Sequence, residues 1–218
     1  MLVPLVLALA PVKLAINVPI GTAYKYALTF EIKGPTKMGS VKTLITLTDK
    51  AASKEGANIW WDMKYAVTKS EGTGDMAKTG DQMKALAKLK ISFLRSPQNT
   101  LVKGRVNGQE VSGETLGNTS DVTFPKTTVL VGSKWSSVID ISAKKSPVTY
   151  QFLGEKTWNK RPAYLIQGEI TDKSVKTIRP YRFYVDRKTC KTLFAEGAAQ
   201  VTDQGIIMDV SFTLKRIN

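Results

Sequence analysis

The stretch Tyr24-Lys-Tyr-Ala-Leu-Thr-Phe-Glu-Ile32 decides the fold. Tyr24, Tyr26, Leu28, Phe30 and Ile32 fall on every second position, with Lys25, Ala27, Thr29 and Glu31 between them. A period of two puts the five apolar side chains on one face of a strand and leaves the other face mostly wet. Gly34-Pro35 ends the run. Downstream, Val41 to Thr48 reads as a second strand and Asp49 to Gly56 as a polar connection. Ile59, Trp61, Met63, Tyr65 and Val67 then alternate with polar neighbours in a third. Strands joined by short connections make an antiparallel meander.

The last third of the chain repeats the style. Pro147–Leu153, Ala163–Thr171, Arg179–Val185, Lys191–Thr202 and Ile206–Leu214 are successive strand candidates. Asp186-Arg-Lys-Thr189 and Asp203-Gln-Gly205 are turns between the later three. Ile206, Met208, Val210, Phe212 and Leu214 repeat the five-step alternation of Tyr24 to Ile32. Between these blocks, Asn107-Gly108 suits a two-residue hairpin turn linking Asn99–Val106 to Gln109–Ser112. Ser112 to Asp121 is a Gly/Ser/Thr/Asn-rich loop containing an Asn118-Thr-Ser120 sequon. Asp75 is placed to cap one helix running to about Lys90, with Met76, Met83, Leu86 and Ala87 on one side.

The expected fold class is all-β or β-dominated (α+β): a large curved antiparallel sheet or half-barrel with one helix over about 75–90. Residues 1–15 are set apart as an apolar tail or signal-peptide remnant, and 16–218 read as a single antiparallel β domain with two related halves. Met1 to Ala10 is apolar and ends in Ala8-Leu-Ala10, resembling a secretory cleavage region. Export, periplasmic or extracellular, is the expected location.

Composition narrows the chemistry. The chain has 32 Lys and Arg against 18 Asp and Glu, a net charge of +14, with the cations dispersed rather than gathered in a basic arm. Such a surface is drawn to anionic membranes and other polyanions. There is no His, and Cys190 is the one Cys. Ser-His-Asp and Cys-His sites are thereby excluded, as are His- and Cys-based zinc sites. Cys190 follows the turn Asp186-Arg-Lys-Thr189, whose cations would lower its thiol pKa, although an incidental thiol is the plainer reading. No pair of carboxylates stands out for glycosidase-type work and no calcium loop occurs, so no enzyme activity, metal or cofactor is expected.

Three short patterns carry a family resemblance. They are Phe124-Pro125 followed by Val131-Gly-Ser-Lys-Trp135, the pair Tyr150-Gln-Phe-Leu-Gly-Glu155 and Arg161-Pro-Ala-Tyr-Leu165, and Tyr184-Val-Asp-Arg-Lys-Thr-Cys-Lys-Thr-Leu193. Their order resembles exported bacterial β proteins related to the LolA/LolB-like lipoprotein-carrier superfamily. The resemblance implies a curved sheet wrapped around helices, with an apolar cavity for acyl chains. It transfers no functional residue, and those carriers hold more than one helix where this chain offers one.

Tyr24, Tyr26, Leu28, Phe30, Trp61, Met63, Tyr65 and Met83 are the candidate ligand-binding residues. Flexible, polarizable Met suits irregular ligands. The same positions serve equally as ordinary core. The expected role is a non-catalytic binding or carrier protein for a lipid-like ligand, with an anionic membrane surface or an envelope protein as partner. The alternative is a structural or interaction protein with a filled core and a basic partner-binding surface. Trp60, Trp158, Tyr164 and Tyr181 lie near cations, but no nucleic-acid-binding motif accompanies them. Nucleic acid is therefore not an expected partner.

Overall fold

A computed structural model describes residues 10–78, 84, 88–112, 122–141 and 144–218. Twelve strands form one open, curved antiparallel sheet in the order β6-β5-β4-β3-β2-β1-β12-β11-β10-β9-β8-β7. The first meander comprises β1 (Ala23–Lys33), β2 (Ser40–Glu55), β3 (Asn58–Gly72), β4 (Ile91–Arg95), β5 (Leu101–Val106) and β6 (Gln109–Ser112). The second comprises β7 (Lys134–Ile141), β8 (Lys144–Trp158), β9 (Arg161–Ile170), β10 (Val175–Asp186), β11 (Thr192–Asp203) and β12 (Ile206–Arg216). The chain starts at the centre of the sheet, walks to one edge, crosses to the other and walks back. β1 and β12 then close the centre as neighbours.

Register fixes which side chains share a face. Leu28 stands opposite Leu214 and Ile45, and Phe30 opposite Phe212. Tyr65 stands opposite Leu47, and Trp61 opposite Ala51 and Phe93. All belong to the concave face. Register shifts at Leu44/Ile45, Ala51/Ser53 and Phe152/Gly154 bend long strands that would otherwise run flat. Asn107 and Gly108 both have positive φ, 51° and 86°, the geometry of the hairpin expected there.

The core forms where irregular chain covers one end of this concave face. Leu14, Ile16 and Val18 from the segment before β1, and Val122, Phe124 and Val129 from the crossover before β7, pack on Tyr24, Trp61, Tyr150, Phe152, Ile166 and Phe183. Val12 and Val129 exchange backbone hydrogen bonds of 2.8 Å each way, so the two covering segments brace each other. Ile16 N–H donates to Pro97 O and Phe124 N–H to Gln98 O, tying both to the β4–β5 turn.

Two expectations are corrected. Asp49 to Gly56 is not a connection: β2 runs on to Glu55, because Asp49 to Glu55 pair with Asn58 to Met63 across a turn at Gly56 (φ 61°). The helix over 75–90 begins instead as a single 3-10 turn, Gly74–Lys78. It is shaped by Gly74 at φ 59° and pressed so close that a Cβ on Gly72 would meet Ala77 Cα at 2.7 Å. Lys84 is helical, Lys88 and Leu89 already turn away, and Met83, Leu86 and Ala87 lie outside the described residues. The expected loop over Ser112 to Asp121, with its sequon, falls almost wholly outside the described residues.

Candidate functional site

Strand β1 passes through two environments. Its first concave-face residues, Tyr24 and Tyr26, are buried, whereas Leu28, Phe30 and Ile32 are only half-buried. The covering segments stop short of the second group. What remains is an apolar groove over the centre of the sheet, lined by Tyr26, Leu28, Leu47, Met63, Phe93, Phe212 and Leu214. The strands that supply them, β4, β3, β2, β1 and β12, are consecutive in the sheet. Tyr181 and Phe212 stack at 5.6 Å beside it. Tyr181 lies so close over Gly197 that a Cβ there would overlap its ring. Burial pushes the Tyr181 hydroxyl up to about 12.

The enclosed space of this groove has a volume of about 90 Å³. Enclosed small-molecule sites are typically about 300–1,000 Å³. The pocket therefore accepts one slender group, and any longer ligand continues along the open apolar face.

The groove's inner end is polar. Asp49, Arg95, Lys191 and Thr192 complete the lining. Lys191 is 2% exposed, donates to Asp49 Oδ2 at 2.7 Å and lies 4.1 Å above the Trp61 ring. Arg95 is 8% exposed, and its Nη1 donates to Asn99 O at 3.2 Å and Asn99 Oδ1 at 3.4 Å. Just behind, Arg216 donates to Asp186 Oδ2 at 3.2 Å and covers the Tyr24 ring at 5.1 Å. Burial alone would raise the Asp186 carboxyl. The N–H and hydroxyl of Thr189, the Arg216 charge and the Lys188 N–H outweigh it and hold the carboxyl below its ordinary value. These charges lie beside buried Tyr24, Tyr26 and Ile59, at the border of the groove.

The candidate residues divide along the same line. Tyr26, Leu28 and Met63 line the pocket. Phe30 lies beside Phe212 and Tyr65 beside Leu47, both on the concave face and half-buried. Tyr24 and Trp61 instead face each other in the core at 6.4 Å, under the chain's own segments. Met83 is outside the described residues. Sequence reading missed Asp49, Arg95 and Lys191, which are polar positions in otherwise apolar company. Leu47, Phe212 and Leu214 were visible as strand residues, but only register brings them to the groove.

Other candidates lose their chemistry. Burial pushes the Cys190 thiol up and Asp186 adds to the effect, against a backbone hydrogen bond involving Ala15, so the expected lowering by nearby cations is corrected. Trp60 is buried on the convex side, with Arg105 4.1 Å over its ring and its Nε1 donating to Glu55. Trp158 is stacked on Phe194 at 4.1 Å, and Tyr164 is in the core. Among the described residues no three His, Cys, Asp or Glu gather as a metal site, and no helix is long and apolar enough to cross a membrane.

No protein-family profile and no curated protein matches the chain. Solved structures that resemble it include lipovitellin, described for its lipid–protein interactions, at TM-score 0.46 and 10% identity over 93% of this chain. The chain spans 26% of the lipovitellin chain's length. A putative outer membrane lipoprotein-sorting protein domain from Vibrio parahaemolyticus resembles it at TM-score 0.27 and 12% identity, over 89% of this chain and 83% of that one. MucB, in its complex with MucA from Pseudomonas aeruginosa, does so at TM-score 0.28 and 12% identity, over 90% and 53%. TM-scores below 0.5 are too low to carry a ligand or partner across.

Proposed function

We propose that this is a non-catalytic binding or carrier protein, acting in the cell envelope or outside the cell, whose lipid-like ligand lies in the groove on the open part of the concave face. The observation that carries the reading is the groove itself. Leu28, Leu47, Met63, Phe93, Phe212 and Leu214 line apolar space that the described residues do not fill, while other parts of the same face are covered by the chain's own segments. Each methylene moved from water onto such a surface contributes up to about 0.8 kcal/mol. A chain half out of the groove gains part of this, as suits a ligand that must also be released. The +14 net charge helps the protein approach anionic membrane surfaces, where such ligands reside.

The test is native mass spectrometry of gently purified protein, with organic extraction of whatever travels with it. A reproducible added mass that extracts as lipid, and that Leu28→Glu abolishes, is the expected result. A clean mass that stays unchanged after incubation with fatty acids and phospholipids would overturn the carrier reading. It would favour an interaction protein that meets an envelope partner through its basic surface.

A further inference from the structure

The inner end of the groove carries a charge imbalance, and that imbalance names the ligand's head group. Of the ionised side chains lining it, Lys191 is matched by Asp49 at 2.7 Å. Arg95 meets no carboxylate among the described residues. Its hydrogen bonds run from Nη1 alone to the two oxygens of Asn99. A guanidinium offers five N–H donors in a planar fork, so Asn99 satisfies one of its three nitrogens. A cation this far from bulk water is costly until an anion meets it, and a carboxylate fits the fork with two parallel hydrogen bonds.

Arg95 is also held still. Asn99, in a left-handed conformation at φ 61°, donates from Nδ2 to Val122 O at 3.0 Å, so the crossover segment grips the turn that supports Arg95. Ile16 N–H and Phe124 N–H bond Pro97 and Gln98 of the same turn. A donor fixed before the ligand arrives loses little freedom on binding. From this fixed charge the lining runs outward through Phe93, Met63, Leu47, Leu28, Leu214 and Phe212, none of them polar.

We propose that the groove takes a single-chain anionic amphiphile, a long-chain carboxylate. Its head pairs with Arg95 at the polar end and its tail lies over Leu28, Leu47, Met63, Phe212 and Leu214. The proposal rests on the carrier reading above and narrows it. The small enclosed space of the groove admits one chain, and its uncompensated charge selects an anion over a neutral or cationic head.

The experiment compares hexadecanoate, hexadecanol and hexadecylamine for displacement of a fluorescent apolar probe from the full chain, each ligand below its micelle concentration. The expected result is that hexadecanoate displaces the probe at least about tenfold more effectively than hexadecanol, the gain of one charge-assisted hydrogen-bonded pair. Hexadecylamine comes last. Arg95→Met should bring hexadecanoate down to the hexadecanol level and leave hexadecanol unchanged, while Arg95→Lys keeps most of the preference. Equal displacement by acid and alcohol would overturn the anionic-head proposal and leave the carrier reading standing. No displacement by any of the three would overturn both. A preference that survives in folded Arg95→Met would remove Arg95 from the site, and stronger displacement by lysophosphatidate would replace the carboxylate with a phosphate head. The three-ligand comparison needs no variant, so it decides the matter even if Arg95→Met does not fold.

Discussion

Strand β1 has an inner end, Tyr24, and an outer end, Leu28, Phe30 and Ile32, that share one face and one alternation but not one fate, with buried Tyr26 at the groove's border between them. The inner end is sealed beneath Leu14, Ile16, Val18, Val122 and Phe124, while the outer end is left half-open beside Phe212 and Leu214. At the level of Tyr24 and Tyr26 stands the belt of Asp49, Lys191, Arg95, Arg216 and Asp186, with Asp49 opposite Tyr24 and Arg216 opposite Tyr26. Periodicity states that a face is apolar. It does not state what covers that face, because cover comes from remote chain. A sealed core and an open groove are thus written with the same letters, and the segments before β1 and before β7 decide which is which.

Four substitutions break or sharpen this contrast. Trp61→Ala, in the sealed part at 1% exposure, should cost about 3–5 kcal/mol in urea unfolding. A cost below about 1 kcal/mol would mean the seal is loose. Gly197→Ala drives a methyl group into the Tyr181 ring beside the groove and should cost about 1–3 kcal/mol.

Asp186→Asn tests the belt. Its carboxyl pKa is lowered in the folded protein, so its contribution is complete above the unfolded value near pH 4 and fades as pH falls through the folded value. The variant should lose about 1–2 kcal/mol at neutral pH and less at pH 2, seen as a shallower acid slope of the unfolding midpoint. An unchanged slope would remove Asp186 from the belt's energetics. Leu28→Ser, in the open part, should cost about 1 kcal/mol or less yet weaken displacement by hexadecanol several-fold. A large stability loss there would erase the contrast.

Much of the fold was legible in the residues, and the reasons it was not elsewhere are physical. β1, β3 and β12 announce themselves because their inward positions are unbroken apolar runs. β4 escapes because its inward positions read Ile91, Phe93, Arg95, and a charge where periodicity asks for a hydrophobe hides the strand. That same charge is the groove's polar end. Of the covering segments, 10–20 does alternate, with Val12, Leu14, Ile16 and Val18 apolar and Lys13 and Asn17 polar between them, but it pairs with no neighbouring strand in sequence, and 122–131 forms no regular element. Lys191 and Asp49 are 142 residues apart, a pairing that only the finished sheet creates. Site residues on β1 and β3 were therefore readable, and those that give the groove its polarity were not.

The seam between β1 and β12 has a kinetic consequence. Every other strand pair joins sequence neighbours, and each meander can zip up hairpin by hairpin. The seam joins Tyr26 to Arg216 and ties Asn218 to Ala23 and Lys25, at separations of 195 and 193 residues for the last two. Closing so long a loop has the largest entropic barrier in the molecule. Until it closes, β1 and β12 each present a bare edge, with Phe30 and Phe212 exposed beside it. Slow closure of the seam makes these the two edges most prone to pair with another chain, so a nascent chain is at greatest risk of aggregation in the interval before its own two halves meet.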